Sequence, residues 1–396
     1  MEGTDFILQG HKPELSPTLY LKMLFSTSLT IIVPKLALGS KILQIYNLKD
    51  NLKICELTFP NNIVDIRLNK KRLLVFLQYH EVHIYDLSCM KLVKILKVKL
   101  NNSIVGDLSS SGLLIAPLAI FEELNESNIF DLIEFSKSSK LKSKTNLSLH
   151  DLQREDGWVL VYDTIELKPI KIFKAHDSKL VKITASNDSL KISTASTKGT
   201  IIRVFCLNND NKIIKIINLR RGHNLANIKS LTFNNDNSII ACSSNNDTVH
   251  LFNLNCDENN SEASSSPEDN SDEDINENLA NLLISKNDEE TSDKKFYNLF
   301  NNSYTKKIIK KLPMKHYIEN LIWEQPKRSF AYIKLLENHS KVEIGFNNDY
   351  ILIASYETGL LYQYNLPKIQ STTKSPKLEP VEKREECVLL NQFNLL

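Results

Sequence analysis

An all-β propeller of four-stranded blades is the fold this sequence predicts, and three observations predict it. Short runs of Val, Ile, Leu, Tyr and Phe dominate the chain, separated by Asn, Asp, Lys and Ser, and helical periodicity is rare. The runs come in groups at a spacing of roughly 40 residues, the period of propeller blades. Third runs repeat one pattern: Val82-His83-Ile84-Tyr85-Asp86, Val159-Leu160-Val161-Tyr162-Asp163 and Val249-His250-Leu251-Phe252-Asn253.

Taken in order, one group of four runs spans 63–68, 73–78, 81–87 and 91–98. A second spans 180–184, 191–195, 200–207 and 213–219. A third opens with 228–233, 238–243 and 248–254. A fourth holds 342–346, 350–355, 360–366 and, after a spacer, 387–393. Six such units fit between about Tyr20 and the C-terminus. A blade cannot bury both of its faces alone, and radial stacking buries them while leaving only short edges. A pair of β-sandwiches is the rival that the spacing leaves open. Two insertions interrupt the pattern. Residues 119–156 are polar with a Ser/Lys-rich middle, and 255–327 form a long loop between the third and fourth strands of a blade. Within it, 257–293 is dominated by Asp, Glu, Ser and Asn, the composition of a disordered segment, and 294–312 is basic and amphipathic.

The chain's 396 residues and 42% hydrophobic content suffice for one large core. The net charge of +2 selects no partner, so any basic site must be a local cluster. None of the six cysteines forms a C-x-x-C pair or has a His at metal-ligand spacing. They read as reduced, buried thiols in a cytosolic protein, and no metal or other cofactor is expected. The acidic N-terminus has no signal-peptide pattern, and the most apolar early stretch, 29–38, is broken by Pro34 and Lys35. It falls short of the roughly 20 apolar residues of a spanning helix. There is no P-loop, no G-x-S-x-G and no Cys/His nucleophile arrangement, and the carboxylates concentrate in the acidic loop. An enzyme is not expected.

The strongest local signal is Leu219-Arg220-Arg221-Gly222, at the exit of a fourth strand. Successive side chains of a strand point to opposite faces, so Arg220 and Arg221 are aimed into different inter-blade grooves. Guanidinium groups present a planar, permanently charged fork that suits phosphate. The flanking blades supply short donors: 193–200 with Arg203 and His176 on one side, 243–248 with His250 on the other.

These residues resemble the PROPPIN family, WD-repeat-like propellers that bind phosphatidylinositol 3-phosphate and phosphatidylinositol 3,5-bisphosphate and act in autophagy. The resemblance rests on 195–205, on 219–222, on Thr248-Val249-His250-Leu251-Phe252, on 23–29 and on 55–60. It implies a propeller of the seven-bladed type. Only about 20 residues precede the stretch that follows the family's first blade, so that blade is expected to be short or missing. Leu219 stands where the family usually has Phe. The resemblance further implies a first headgroup site of Arg220, His176, Ser196, Lys198, Thr200 and Arg203. The second would hold Arg221, Ser243, Ser244, Thr248 and His250.

The long insertion falls where the family carries a membrane-contacting loop. Phe296, Phe300, Tyr304, Ile308 and Leu312 recur every four residues, with Tyr297 nearby, and Lys306, Lys307, Lys310 and Lys311 supply charge. Such a segment lies in a bilayer interface, with its lysines snorkelling to the headgroups. The expected protein is a monomeric, cytoplasmic, peripheral adaptor. It would bind membrane phosphoinositides, recruit autophagy machinery to autophagosome-precursor, endosomal or vacuolar membranes, and have no nucleic-acid partner. The alternative is a protein-interaction scaffold without direct lipid binding.

Overall fold

The β-rich runs pair in sequence order in a computed structural model that describes residues 18–24, 27–36, 39–79, 81–97, 106–118, 132–134, 152, 155–255, 326–335, 342–367 and 384–394. The first sheet is β1 (Thr18–Met23), β2 (Leu29–Pro34), β3 (Ile42–Asn47) and β4 (Leu52–Thr58). The second is β5 (Ile63–Leu68), β6 (Arg72–Leu77), β7 (Glu81–Asp86) and β8 (Lys91–Lys97). The third is β9 (Asp107–Leu108), β10 (Leu113–Pro117), β11 (Trp158–Asp163) and β12 (Lys168–Lys174). The fourth is β13 (Leu180–Ala185), β14 (Lys191–Ser196), β15 (Ile201–Leu207) and β16 (Ile213–Arg220). Strands β17 (Ile228–Phe233), β18 (Ile239–Ser244) and β19 (Thr248–Asn253) open the fifth. The chain next adds β20 (Lys327–Arg328) to the fourth sheet, and β21 (Ala331–Lys334) completes the fifth. The sixth holds β22 (Val342–Asn347), β23 (Tyr350–Ser355), β24 (Leu360–Asn365) and β26 (Leu389–Asn394), while β25 (Glu385–Glu386) joins the fifth.

The described residues thus form six blades, not a seven-bladed ring. Strand grouping alone counts six units; seven came from the resemblance. The strands from β1 to β26 group into six sheets of four main strands each. The membrane-loop residues Phe296, Tyr297, Phe300, Tyr304, Lys306, Lys307, Ile308, Lys310 and Lys311 lie outside the described residues, as do 257–293 and most of 119–156.

Burial explains why the second run of each unit is so uniformly apolar or small. Every residue of β6, β14 from Ile192 onward and all of β18 are buried, because neighbouring sheets cover both faces. The outer strands β4, β8 and β26 are largely exposed. Apolar clusters fill the gaps between sheets one and two, two and three, three and four, and five and six. The polar first insertion contributes Ile133 and Leu152 to the second of these.

Polar ties reinforce the stacking. Arg67 of β5 ion-pairs with Asp65 at 2.5 Å and with Asp107 of β9 at 3.2 Å. Asp107 in turn accepts from the Thr184 hydroxyl at 3.1 Å and the Ala185 N–H at 2.9 Å. Sheets two, three and four are thereby joined at their inner strands. The turns between first and second strands are linked too. Asn69 donates to the Ser109 carbonyl, Ser110 to that of Asn187, and the Asn187 N–H to the Asn237 side chain. Burial chiefly, then Asp65, raises the Tyr20 phenol of β1 above its usual range, and Tyr356 beyond β23 adds to this. The last sheet therefore lies within electrostatic reach of the first.

Three outer edges are capped by short parallel segments. Ile133 bridges Ile172 of β12, β20 runs along β16, and β25 runs along β21. Edge strands expose unpaired backbone groups, and capping satisfies them. Glu134 also accepts from the Ile213 N–H at 2.7 Å, tying the first cap to the fourth sheet.

Phe76 is fully buried between sheets two and three. Phe76→Ala should destabilise the protein by about 3–5 kcal/mol, read from urea denaturation. A loss under about 1 kcal/mol would mean that this interface does not hold the stack together.

Candidate functional site

The register of the fourth sheet decides where each polar side chain goes. Directly opposed residues of neighbouring strands share a face. Thr194 opposes Arg203, Arg203 opposes Asn218, and Arg220 lies two residues beyond Asn218. Thr194, Ser196, Arg203 and Arg220 therefore share the face toward the third sheet. Leu219 and Arg221 take the other face, toward the fifth. Leu219 is fully buried, so it serves as packing, and Leu is tolerated there.

In the groove between sheets three and four, His176 is buried, with Nε2 3.0 Å from the Thr194 hydroxyl and 3.3 Å from the Thr194 carbonyl. Arg203 donates to the Ala175 carbonyl. Burial and then the Arg203 charge push the His176 imidazole down to about 3, so it is neutral at physiological pH. Burial also lowers the Arg203 guanidinium, and Asp177 opposes that shift. Ser196 is buried at the end of β14, Lys198 is exposed on the following turn, and Thr200 is half-buried where β15 begins. Arg220 is half-buried, and among the described residues it has no hydrogen-bond or ion-pair partner on its side chain.

In the groove between sheets four and five, Arg221 is only 4% exposed. Its Nε donates to the Gly199 carbonyl at 2.6 Å and its Nη2 to the Asn224 carbonyl. Burial lowers this guanidinium from the usual arginine range, and Cys242 opposes that. The Cys242 thiol is itself pushed up to about 12 by burial, so it brings no negative charge. Arg221 thus stays a buried cation held by the Gly199 and Asn224 carbonyls, with no carboxylate partner among the described residues. A buried charge without a counter-ion is costly, which makes the site receptive to an anion.

His250 shares this groove. It opposes Cys242 and Tyr332 in register and stands 3.3 Å from the Ser329 hydroxyl through Nδ1. Burial, then Arg221, then Arg384 push it down to about 4. Ser244 and Thr248 lie on the same face and order the turn between them, Ser244 accepting from the Asn246 N–H and Thr248 donating to the Asn246 carbonyl. Ser243 does not join them. It opposes Val249, on the face that packs toward the sixth sheet. Its buried hydroxyl has no hydrogen-bond partner among the described residues.

Gly199 fits this arrangement because of its backbone. Its φ is +59°, and a Cβ there would lie 1.9 Å from the Ala226 carbonyl oxygen. Any other residue would displace the carbonyl that holds Arg221.

Thr194 lies within the donor stretch 193–200 but was not assigned to the headgroup site, and Cys242, Asn224, Ser329 and Arg384 were not singled out. Two-residue alternation from Ser196 and Ser244 would have found Thr194 and Cys242. No local signal marks the rest, which arrive through loops or a distant strand. Among the described residues, no group of His, Cys, Asp and Glu could hold a metal ion, and no helix is long and apolar enough to cross a membrane.

The family model described as PROPPIN matches residues 4–112 and 142–274. The chain is 46% identical to an autophagy-related protein 21 of Candida albicans and 44% identical to one of Debaryomyces hansenii. Each alignment covers 97% of this chain and 87% of the relative. A solved structure described as "Complex of KlAtg21 with coiled-coil of AgAtg16" matches at a TM-score of 0.58 and 26% identity, over 94% of this chain and 84% of that one. Kluyveromyces lactis Hsv2 matches at a TM-score of 0.57 over 96% and 87%; at 15% identity it shows the fold alone.

Both imidazoles sit below their unfolded value of 6.5, so the unfolded chain binds these protons first. The stability they contribute is present above pH 6.5 and is lost as pH falls through about 4 for His250 and about 3 for His176. His176→Gln/His250→Gln should therefore lose less stability than the parent between pH 6.5 and pH 4. The difference is on the order of 2 kcal/mol or more, since one pKa unit is worth about 1.4 kcal/mol. Parallel urea profiles for parent and variant would refute this.

Proposed function

The chain belongs to the PROPPIN family, and from that premise we propose that it is a peripheral membrane adaptor that binds phosphoinositide headgroups in its two grooves and recruits autophagy proteins. One observation carries the lipid reading. Adjacent residues of one strand end, Arg220 and Arg221, serve opposite faces of the fourth sheet, and neither has a carboxylate partner among the described residues. Arg221 acts on the neutral His250 imidazole, and Arg220 shares its face with Ser196, Thr194 and Arg203, of which Arg203 acts on the neutral His176. That environment suits a phosphorylated ring, with the charge supplied by Arg and the hydrogen bonds by Ser, Thr and His.

The first site holds Arg220, Arg203, His176, Ser196, Lys198 and Thr200. The second holds Arg221, His250, Ser244 and Thr248. Its ligands are phosphatidylinositol 3-phosphate and phosphatidylinositol 3,5-bisphosphate. Two weak sites on one rigid body bind a membrane with avidity beyond either alone. The family is not known for enzymes, and binding rather than chemistry is the role assigned here. The structural relative complexed with a coiled coil suggests a coiled-coil autophagy protein as one partner. The site of action is then the cytoplasmic face of autophagosome-precursor, endosomal or vacuolar membranes.

The two arginines differ in a way that sharpens the test. Arg221 holds the 199 and 224 carbonyls, whereas among the described residues no partner holds the Arg220 side chain. Arg220→Thr should reduce flotation with liposomes containing phosphatidylinositol 3-phosphate about tenfold, one charge-assisted contact's worth, and leave the thermal midpoint unchanged. Arg221→Thr should reduce flotation and lower the midpoint as well. Full flotation of the folded double variant would favour a scaffold that does not bind lipid directly.

A further inference from the structure

Strand β20 is two residues long and runs parallel to β16, with Leu219 opposite Lys327 and Arg220 opposite Arg328. Opposed residues share a face, and neighbouring strands lie about 4.8 Å apart. Arg328 therefore stands beside Arg220 on the face toward the third sheet, one strand further out. It is exposed, and among the described residues it too has no carboxylate partner. Like charges directly opposed on neighbouring strands are destabilising. Here they mark the outer end of a groove that already contains Arg203 and Lys198.

The next sheet treats the equivalent place differently. Lys334 opposes Thr248 as Arg220 opposes Ile201. There β25 brings a carboxylate: Glu386 lies 3.9 Å from the Lys334 ammonium and accepts from the Tyr332 hydroxyl at 3.1 Å. Arg384, two residues before Glu386, adds a cation near His250, so that groove carries the two charges of opposite sign. At the first groove's outer end Arg220 and Arg328 stand side by side, and Asp177 acts on Arg203.

We propose that Arg328 is a further phosphate-binding residue of the first groove, and that with Arg220 it holds the second phosphate of a bisphosphorylated inositol headgroup. This rests on the headgroup reading given above. Each phosphate monoester carries close to two negative charges at neutral pH. One phosphate engages the inner cations, Arg203 and Arg220. A second, across the ring, needs a cation further out, and Arg328 is placed there by strand pairing rather than by a free loop. The second groove, with Lys334 balanced by Glu386, takes a single phosphate.

The test uses the full chain with Arg328→Ala, and phosphatidylcholine vesicles containing either phosphatidylinositol 3,5-bisphosphate or phosphatidylinositol 3-phosphate. A parallel arm titrates the water-soluble headgroup of the bisphosphate, which separates a lipid ligand from a free inositol phosphate. Affinity for the bisphosphate vesicles should fall about tenfold, a charge-assisted contact's worth. Binding to the monophosphate vesicles should change by less than about twofold, because that contact is not made there. Arg328 is exposed on a two-residue edge strand, so folding is not at stake, and Arg328→Lys should restore part of the loss. Equal losses on both vesicles, or no loss on either, would overturn the assignment. A fall with the soluble headgroup but not with the vesicles would assign the residue to a free inositol phosphate instead. Failure of the parent to bind either vesicle would overturn the headgroup reading itself; unchanged binding by Arg328→Ala beside a defective Arg220→Thr would sink this inference alone.

Discussion

Each sheet here has two apolar faces and can bury neither by itself. The second strands show the consequence most directly, since β6, β14 and β18 are packed on both sides along almost their whole length. Stacking sheet against sheet is how such strands are satisfied, and it also creates the grooves. Once faces are shared, the parity of a residue along its strand decides which groove it serves. Arg220 and Arg221 differ by one position and so face different neighbours. The burial that stabilises the stack thereby distributes two adjacent cations between two separate environments.

Those environments treat their cations unequally. Arg221 is taken almost wholly out of water and returns part of its desolvation cost through the Gly199 and Asn224 carbonyls. It is at once a tie between loops and a buried charge with no carboxylate partner among the described residues. Arg220 stays half-buried and makes no such tie. The two histidines follow the same logic. Each lies beside an arginine, so burial and the arginine charge act together to keep it neutral. A neutral ring can donate one hydrogen bond and accept another, and hydrogen bonding rather than charge is what each can offer at neutral pH.

Legibility in the sequence followed the range of the interactions. Strands whose partners are the next strands along were readable to within a residue or so: 63–68 and 228–233 coincide with β5 and β17. The opposite aim of the arginine pair was readable because alternation is a local rule. Applied strictly, the same rule would have set Ser243 apart from Ser244, since Ser243 shares a face with Val249 and not with His250. What local rules could not reach were pairings across long separations. Nothing near residue 328 reveals that it will lie against residue 220, because a two-residue strand has no periodicity to read. The blade number failed for a different reason. It was carried from a resemblance, whereas the strand groups of this chain already counted six.

The edge caps connect these points. Segments at 133, 327–328 and 385–386 each run parallel to the outer strand of the sheet they cover, so sheets three, four and five have part of their outer edges paired. The charge such a cap carries becomes part of the groove rim. The long segment between β19 and β20 is pinned at both of its ends. Leu254 donates to the Ser238 carbonyl at 2.7 Å on entry, and Phe330 to the Leu251 carbonyl at 3.0 Å on exit. Between β20 and that exit lies Ser329, which touches His250. Arg328 and Ser329 thus place consecutive residues of one stretch beside two grooves that open on opposite faces of one sheet.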